Sequence, residues 1–236
     1  VNKVLADEGI FPSAAAGHSL GEYSALSAAG VISFTDGLKL VRRRGELMDK
    51  VDPEGRGTMA AVIGLTDEDV KSVLSEVDGI CTVANYNSPG QIVISGEKKS
   101  VKSAGKILKE KGAKKVIPLQ VSGAFHSPLM EPAKKELSRE IENTDFTEAE
   151  IPFIANVTAS YLQSGAEIKD ALIKQLNNSV RWVETIERFK ADDYETYIEV
   201  GPGRVLKGLM RRIDRNLTAY NVEDEKSLKK TQKKLK

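Results

Sequence analysis

The sequence predicts an α/β fold in which a mostly parallel sheet carries helices on both faces. The first observation behind this prediction is that short apolar segments alternate with helical segments along most of the chain, which is typical of parallel sheets. The second is a change between residues 57 and 122, where the order β-α-β-β-α-β is typical of a ferredoxin-like unit. We therefore predict a core formed by residues 1–56 and 123–236, with a small subdomain at residues 57–122 inserted into it.

The first part of the core is predicted to hold three helices and one short strand. Small residues at 13–16 are a strand candidate, and Gly30 is placed to end the alanine-rich helix that follows. The other two helices are predicted at 1–8 and 34–49.

The subdomain is predicted from its apolar runs and from the turn between two of them. Asn87-Ser88-Pro89-Gly90 is a strong turn signal, so the runs on either side of it should pair as strands. The predicted strands cover 58–65, 81–86, 91–95 and 115–121, and the predicted helices cover 67–77 and 99–111.

The second part of the core returns to alternating helices and strands. Helices are predicted at 128–142, 166–177, 181–190 and 205–213, and strands at 151–157, 195–200 and 217–222. The tail from Glu223 holds six lysines in fourteen residues, which indicates a solvated helix end or a frayed terminus.

Composition argues against several classes of protein. The 35 basic and 34 acidic residues leave a net charge of +1, which does not suit a general nucleic-acid binder. No apolar run approaches the roughly 18 residues of a membrane span, and no signal-peptide pattern is present. Cys81 is the single cysteine, so internal disulfides and cysteine-based metal sites are excluded and a reducing, cytoplasmic location is expected. No metal site is expected.

The segment Gly17-His18-Ser19-Leu20-Gly21 matches the G-x-S-x-G nucleophile elbow, which implies an α/β-hydrolase-like core. In an elbow the serine occupies a strained strand-to-helix turn, and flanking glycines avoid clashes with neighbouring side chains. The turn places Oγ at a helix N-terminus, where developing negative charge is stabilised. Ser19 is therefore the candidate nucleophile, and the N–H of Leu20 is a candidate oxyanion donor.

Two histidines compete for the role of general base. His18 belongs to the elbow and should point away from the hydroxyl of its neighbour, so His126 is the candidate base. A histidine before a helix is also a common packing or capping residue. No acidic partner for the imidazole is obvious in the sequence, but a backbone carbonyl can accept a hydrogen bond from Nδ1–H instead.

Arg44 is a candidate ligand-binding residue because of its position on the helix at 34–49. At about 100° per residue, it falls near the middle of the apolar arc of that helix. It is either an arginine that snorkels or pairs with an internal carboxylate, or one whose planar guanidinium awaits the carboxylate of a ligand. The second interpretation predicts a site for an acyl group that carries a free carboxylate.

Four motifs in order resemble a known family. They are Gly17 to Ser24 (GHSLGEYS), Arg44-Gly45, Gly123-Ala124-Phe125-His126 and Glu199-Val200-Gly201-Pro202-Gly203. Together they resemble the malonyl-CoA:acyl carrier protein transacylases of fatty acid synthesis, and the resemblance runs from the first residue to about Val222. One departure is that the family opens with a strand and a Pro-Gly-Gln-Gly motif that supplies a second oxyanion donor. The sequence has no such segment, so we expect it to be a fragment.

The resemblance implies a role for each candidate residue. Ser19 would take the malonyl group as an ester, His126 would act as base, and Arg44 would bind the malonyl carboxylate. Gln175 matches a family glutamine whose backbone carbonyl orients the histidine. Phe125 would form a wall of the acyl pocket and favour malonyl over methylmalonyl. The implied partners are malonyl-CoA and acyl carrier protein, which itself carries the phosphopantetheine, and no cofactor of the protein's own is implied.

Two other functions remain open at this point. The same elbow serves serine esterases and thioesterases, although a general esterase has no use for a cation in its acyl pocket. A non-catalytic fragment that binds the carrier protein is the other alternative.

Overall fold

A computed structural model describes residues 1–52 and 54–235. Pro53 and Lys236 lie outside the described residues. The helices are α1 (Asn2–Asp7), α2 (Gly21–Ala28), α3 (Phe34–Lys50), α4 (Asp67–Ser75), α5 (Lys98–Glu110), α6 (Glu131–Glu142), α7 (Gly165–Gln175), α8 (Trp182–Ala191), α9 (Val205–Ile213) and α10 (Glu225–Leu235). The strands are β1 (Gly57–Ile63), β2 (Cys81–Ser88), β3 (Gln91–Glu97), β4 (Lys115–Pro118), β5 (Phe153–Ile154), β6 (Tyr161–Leu162), β7 (Thr196–Val200) and β8 (Thr218–Val222).

The α/β class is confirmed, but the prediction of a mostly parallel sheet is wrong. The largest sheet contains β1 to β4 in the order β2-β3-β1-β4, and its neighbouring strands are antiparallel. Parallel pairing is limited, in the described residues, to β7 with β8 and to two isolated bridges. The parallel sheet was predicted for the core, where the described strands do not join into one sheet. β5 is two residues long and pairs antiparallel with β6, while β7 and β8 form a separate two-stranded parallel sheet.

The strand candidates nearest to the nucleophile are too short to form a long ladder. Ala15 makes one parallel bridge to Phe153, and the strand predicted at 151–157 reduces to the two residues of β5. Small side chains at 14–16 still pack on both sides, since Ala15 contacts the main core cluster while Ala14 and Ala16 contact a second one. This segment holds the nucleophile turn between the two clusters.

The small sheet has the predicted order of elements and its own apolar core. Residues from β1 to β3 and from the buried faces of α4 and α5 form one cluster that includes Val62, Val70, Ile94 and Leu108. The turn between β2 and β3 is shorter than predicted, because β2 extends to Ser88 and leaves Pro89 and Gly90 as the turn.

One edge of the small sheet is joined to the rest of the chain. The N–H of Tyr86 donates to the carbonyl oxygen of Val180 at 2.9 Å, and the N–H of Val180 donates to that of Ala84 at 2.8 Å. This bridge brings the end of β2 to the segment between α7 and α8, next to the nucleophile turn.

The lysine-rich tail forms α10, so a helix end rather than a frayed terminus is the correct alternative. Leu228 and Thr231 are its buried residues. Over residues 1–52 and 54–235, no helix has the length and apolar character that would be needed to span a bilayer.

Candidate active site

The predicted nucleophile lies in a strained turn directly before α2. Ser19 has a φ of +53°, in the left-handed region that residues other than glycine rarely adopt. A Cβ at Gly17 would lie 1.9 Å from the carbonyl oxygen of Gly21, so only glycine fits at position 17. The expectation that both glycines avoid a clash is wrong for Gly21, because a Cβ there would meet no atom within 4 Å.

The start of α2 leaves one N–H available beside the nucleophile. The N–H groups of residues 21, 22 and 23 each donate to the carbonyl oxygen three positions earlier, at 3.0–3.2 Å. The N–H of Leu20 has no acceptor in the part of the chain that the structure describes, and its side chain is half exposed. An N–H without an acceptor at this place is what an oxyanion donor requires, and the role of Leu20 as that donor stays a prediction.

His126 lies against the nucleophile and is held in one tautomer. Its Nε2 is 2.7 Å from Ser19 Oγ, and its Nδ1 is 3.0 Å from the carbonyl oxygen of Gln175 and 3.1 Å from that of Asn178. Carbonyl oxygens only accept hydrogen bonds, so Nδ1 carries the proton and Nε2 can accept from the serine hydroxyl. This is the geometry that a general base for Ser19 needs.

The imidazole of His126 is neutral at ordinary pH. Burial, together with the positive charge of Arg44, lowers its pKa to about 3, although the hydrogen bond to the Gln175 carbonyl acts in the opposite direction. His126 also has a φ of +58°, so it shares with Ser19 the left-handed conformation that is rare outside glycine. Two strained residues thus meet at the centre of the site.

Arg44 lies on the buried face of α3, where the helix arithmetic places it. Its side chain is 4% exposed, and Nη2 donates to Ser19 Oγ at 2.9 Å and to Gln175 Oε1 at 3.4 Å. Among the described residues Arg44 forms no ion pair within 4.0 Å, and its buried Nε has no acceptor. A buried cation with an unused donor is suited to an anionic ligand.

Gln175, the last residue of α7, makes hydrogen bonds to several residues of the site. Its backbone carbonyl accepts from His126 Nδ1, while its Nε2 donates at 2.7 Å to the carbonyl oxygen of Ser19 and at 2.7 Å to the carboxylate of Glu22. Its Oε1 accepts from Arg44. The four residues that the sequence assigned to nucleophile, base, arginine and orienting carbonyl therefore lie together in one buried cluster.

Comparison with known families assigns the chain. Residues 2–236 match the model of the acyl transferase domain. The chain belongs to the acyl transferase domain family.

Similar proteins with curated names include transacylases of two bacteria. The malonyl CoA-acyl carrier protein transacylase of Bacillus subtilis is 46% identical over 225 residues, which are 94% of this chain and 71% of that protein. The transacylase of the same name from Escherichia coli K12 is 43% identical over 219 residues, which are 92% of this chain and 71% of that protein.

Solved structures of similar proteins have the same fold. The crystal structure of an acyl carrier protein S-malonyltransferase from Vibrio cholerae superposes with a TM-score of 0.94 at 44% identity, over 97% of this chain and 76% of that one. A malonyl-transacylase solved in complex with a type II polyketide synthase acyl-carrier protein gives a TM-score of 0.95 at 43% identity, over 98% of this chain and 76% of that one.

Asn156 is a site residue of this acyl transferase domain that the sequence did not reveal. It is fully buried just after β5, and its Oδ1 accepts from the N–H of Ser19 at 2.7 Å while its Nδ2 donates to the carbonyl oxygen of Gly17 at 2.6 Å. One side-chain amide thus brackets the nucleophile turn. The one sequence feature that could have drawn attention to Asn156 is that a polar asparagine stands near the end of the apolar segment 151–157.

Glu22 is the second residue that the sequence did not reveal. Its carboxylate is 1% exposed and accepts from the N–H of Asn156 at 3.0 Å as well as from Gln175. Burial raises the pKa of Glu22 to about 7, and its hydrogen bonds from Gln175 and Asn156 and the charge of Arg44 only partly offset that effect. The sequence feature that could have revealed Glu22 is its spacing on α2, since it lies one helical turn before the buried Leu26 and two turns before the buried Ala29.

His18 and Phe125 take different places beside this centre. His18 Nε2 lies 2.8 Å from Asn87 Oδ1 and its ring packs edge-on against Trp182, so His18 engages the end of β2 rather than the serine hydroxyl, as predicted. Phe125 is half-buried and packs both on the main core and on a small cluster at the sheet of β1 to β4. Its role as a wall of the acyl pocket stays a prediction.

Proposed function

We propose that this acyl transferase domain moves a malonyl group from malonyl-CoA to the phosphopantetheine thiol of acyl carrier protein, a step of fatty acid biosynthesis. The observation that carries the proposal is the position of Arg44, a buried cation 2.9 Å from the nucleophile Oγ with no carboxylate partner in the described residues. The names of the similar transacylases and the carrier-protein complex of one of them support the same substrates and partner.

The first half of the reaction forms an ester on Ser19. The hydroxyl oxygen attacks the thioester carbon, and its proton passes to Nε2 of His126, which lies 2.7 Å away. The negative charge on the carbonyl oxygen is stabilised by the N–H of Leu20. The C–S bond then breaks, and the coenzyme A thiolate leaves with the proton that His126 received.

The second half runs the same steps with a new nucleophile. The thiol of phosphopantetheine gives its proton to His126 and its sulfur attacks the ester carbon, so that the ester bond to Ser19 breaks and Oγ recovers a proton from His126. Throughout, the carbonyl of Gln175 accepts from Nδ1–H and stabilises the imidazolium that forms. We propose that no cofactor of the protein's own takes part, because nucleophile, base and carboxylate-binding cation are all supplied by the chain.

A serine esterase or thioesterase would use the same elbow, but Arg44 argues against it. A buried guanidinium would be an unpaired charge beside an ordinary acyl group, which is costly. A carboxylate-bearing acyl group gives it a partner. A non-catalytic role leaves the aligned pair of Ser19 and His126 without a purpose.

Intact mass measurement after mixing the chain with malonyl-CoA tests the proposal and separates the three functions. A transferase shows a stable malonyl adduct that disappears when carrier protein with its phosphopantetheine is added. Turnover of malonyl-CoA without an adduct indicates a hydrolase. If the chain forms no adduct and does not turn over malonyl-CoA, both enzymatic functions are contradicted.

Two finer expectations about the architecture belong to this proposal. We propose that residues 57–122 form a ferredoxin-like subdomain within an α/β-hydrolase-like core. The element order and the strand order β2-β3-β1-β4 support the first statement, and the serine turn before α2 supports the second. Limited proteolysis that cuts near residues 52–56 and 119–123 and releases a stable piece would test the division. The cytoplasmic location stays a prediction.

A further inference from the structure

Glu22 is a buried carboxylate to which the malonyl transfer steps assign no role. It lies on α2, three residues after the nucleophile, and its side chain is 1% exposed. No arginine, lysine or histidine lies within ion-pair distance of it among the described residues, so its two oxygens accept only from uncharged donors. Oε1 accepts from the N–H of Asn156 at 3.0 Å, and Oε2 accepts from Nε2 of Gln175 at 2.7 Å.

These two donors belong to the two groups that position the reacting atoms. Asn156 brackets the nucleophile turn through the Gly17 carbonyl and the Ser19 N–H. Gln175 orients His126 through its backbone carbonyl and contacts Arg44 through Oε1. Among the side chains that the structure describes, Glu22 alone hydrogen-bonds to both residues.

We infer that Glu22 is a positioning residue that sets the alignment of Ser19 with His126 by tying Asn156 to Gln175. This inference rests on the proposed malonyl transfer. Both carboxylate oxygens of Glu22 must act as hydrogen-bond acceptors in this arrangement, because Asn156 and Gln175 are both donors. Glutamine at this position would turn an amide N–H₂ toward one of the two donors, and a protonated glutamic acid would turn an O–H toward one of them. Either change would loosen the buried network.

The inference predicts a specific pH dependence. The ionised form of Glu22 is the aligned one, and its pKa is raised to about 7 by burial. Charged or titratable neighbours are Arg44 from α3 and Tyr23 on its own helix, while α7 and the segment after β5 present the neutral Gln175 and Asn156. Burial and the charge of Arg44 lower the pKa of His126 to about 3 in the free chain. Because His126 is retained in Glu22→Gln, a decline that disappears in this variant belongs to Glu22.

The test measures malonylation of Ser19 in single-turnover mixing of the full chain with malonyl-CoA, read by intact mass between pH 5.5 and 8.5. For Glu22→Gln we expect the maximal acylation rate to fall roughly 10²-fold, as for a misplacement of about 1 Å, with little change in the half-saturating malonyl-CoA concentration. The wild-type rate should decline on acidification through about pH 7, and the variant should lack that decline. Glu76→Gln, at an exposed helix end, is the matched control and should behave as wild type.

A second variant keeps the inference testable if Glu22→Gln does not fold. Gln175→Ala preserves the backbone carbonyl to His126 but removes the side-chain amide, which contacts Ser19 and Arg44 as well as Glu22. Its rate should fall for all three reasons, so the readout that tests Glu22 is the loss of the decline near pH 7. Combined with Glu22→Gln, it should cost less than the sum of the two single changes, because the hydrogen bond between Gln175 and Glu22 is already lost in either one.

The outcomes distinguish failure of the inference from failure of the proposed function. If wild type forms no adduct, the malonyl transfer is wrong. If wild type forms the adduct and folded Glu22→Gln matches its rate, or loses rate yet keeps the pH 7 decline, Glu22 is only a packing residue and the inference is wrong.

Discussion

A Cβ at Gly17 would lie 1.9 Å from the carbonyl oxygen of Gly21, whereas a Cβ at Gly21 would meet no atom within 4 Å. The two glycines of the elbow look equivalent in the sequence but differ in the structure. Gly17 lets the turn close against the backbone of α2, while Gly21 merely starts the helix. The pair therefore provides matched substitutions, four residues apart, for testing how tightly the turn is built.

Gly17→Ala should lower the free energy of unfolding by about 3 kcal/mol or more, because the new methyl group meets backbone that cannot move aside. Gly21→Ala should raise it by roughly 0.5–1 kcal/mol, since alanine loses less backbone entropy in a helix. Urea titrations of both variants measure the difference. Equal stabilities would contradict the close approach at Gly17.

Ser19→Ala should abolish labelling by malonyl-CoA and leave the fold intact, because the only atom removed is the attacking oxygen. His126→Ala should slow labelling by roughly 10²–10⁴, the usual contribution of a positioned base. Intact mass spectrometry over time measures both. Ser24→Ala, on the exposed face of α2, is the control. A malonyl adduct on another residue of Ser19→Ala would exclude Ser19 as the nucleophile.

Arg44→Ala should depress malonyl transfer by roughly 2–4 kcal/mol in transition-state free energy, because the acyl carboxylate loses its charged partner. Acetyl transfer should fall less or rise. The comparison of kcat/KM for malonyl-CoA and acetyl-CoA measures the effect, with Arg42→Ala as the control, since Arg42 is exposed and pairs with Glu46. An equal loss for both thioesters would show that Arg44 does not recognise the carboxylate.

Phe125→Ser should admit methylmalonyl-CoA in part, because a bulky ring leaves no room for an extra methyl group and one methyl is worth only about 1–3 kcal/mol of discrimination. Competition between malonyl-CoA and methylmalonyl-CoA measures the preference. The exposed Phe34 offers Phe34→Ser as a control. An unchanged preference would leave Phe125 as a packing residue alone.

The stability of the chain should depend on pH through buried groups of opposite effect, Glu22 on one side and two histidines on the other. The pKa of Glu22 is raised from 4.5 to about 7, so its folded form binds a proton that the unfolded form has released, and stability falls as pH rises through this window. The pKa of His126 is lowered from 6.5 to about 3, so stability rises with pH between those values. His18, whose pKa burial also lowers, acts in the same direction as His126.

Comparison of variants separates the two contributions. Relative to Glu22→Gln, wild type should lose up to about 3 kcal/mol of unfolding free energy between pH 4.5 and pH 7. Relative to His126→Ala, wild type should gain stability as pH rises from 3 to 6.5. Denaturant titrations at several pH values measure both slopes. A difference between wild type and Glu22→Gln that does not change with pH would contradict the raised pKa of Glu22.

The fold could be predicted from sequence where the signals are local. Turn residues and periodicity give the order β-α-β-β-α-β, and its elements occur within a few residues of their predicted ends. The strand pairing of the core was predicted wrongly, because pairing depends on partners far away in sequence. Ala15, for instance, pairs with Phe153 for a single bridge.

The residues of the site can likewise be separated into those with a local sequence signal and those whose role depends on distant partners. Ser19 and Leu20 follow from one motif, and Arg44 from its place on an apolar helix face. The same arithmetic applied to α2 would have placed Glu22 with the buried Ala25 and Leu26. Asn156 is different, because its role depends on meeting a serine 137 positions earlier in the chain, which nothing in its own neighbourhood indicates.

The hydrogen bond from Arg44 to Ser19 Oγ makes the reactivity of the nucleophile depend on which acyl group is bound. A malonyl carboxylate that paired with Arg44 through Nη2 would compete with Ser19 for that donor, and the charge of Arg44 lowers the pKa of His126. A carboxylate that neutralises Arg44 therefore frees a lone pair on the hydroxyl and makes the imidazole a stronger base. An acyl group without a carboxylate does neither. A thioester without a carboxylate should therefore acylate Ser19 slowly, in addition to leaving the buried charge of Arg44 without a partner.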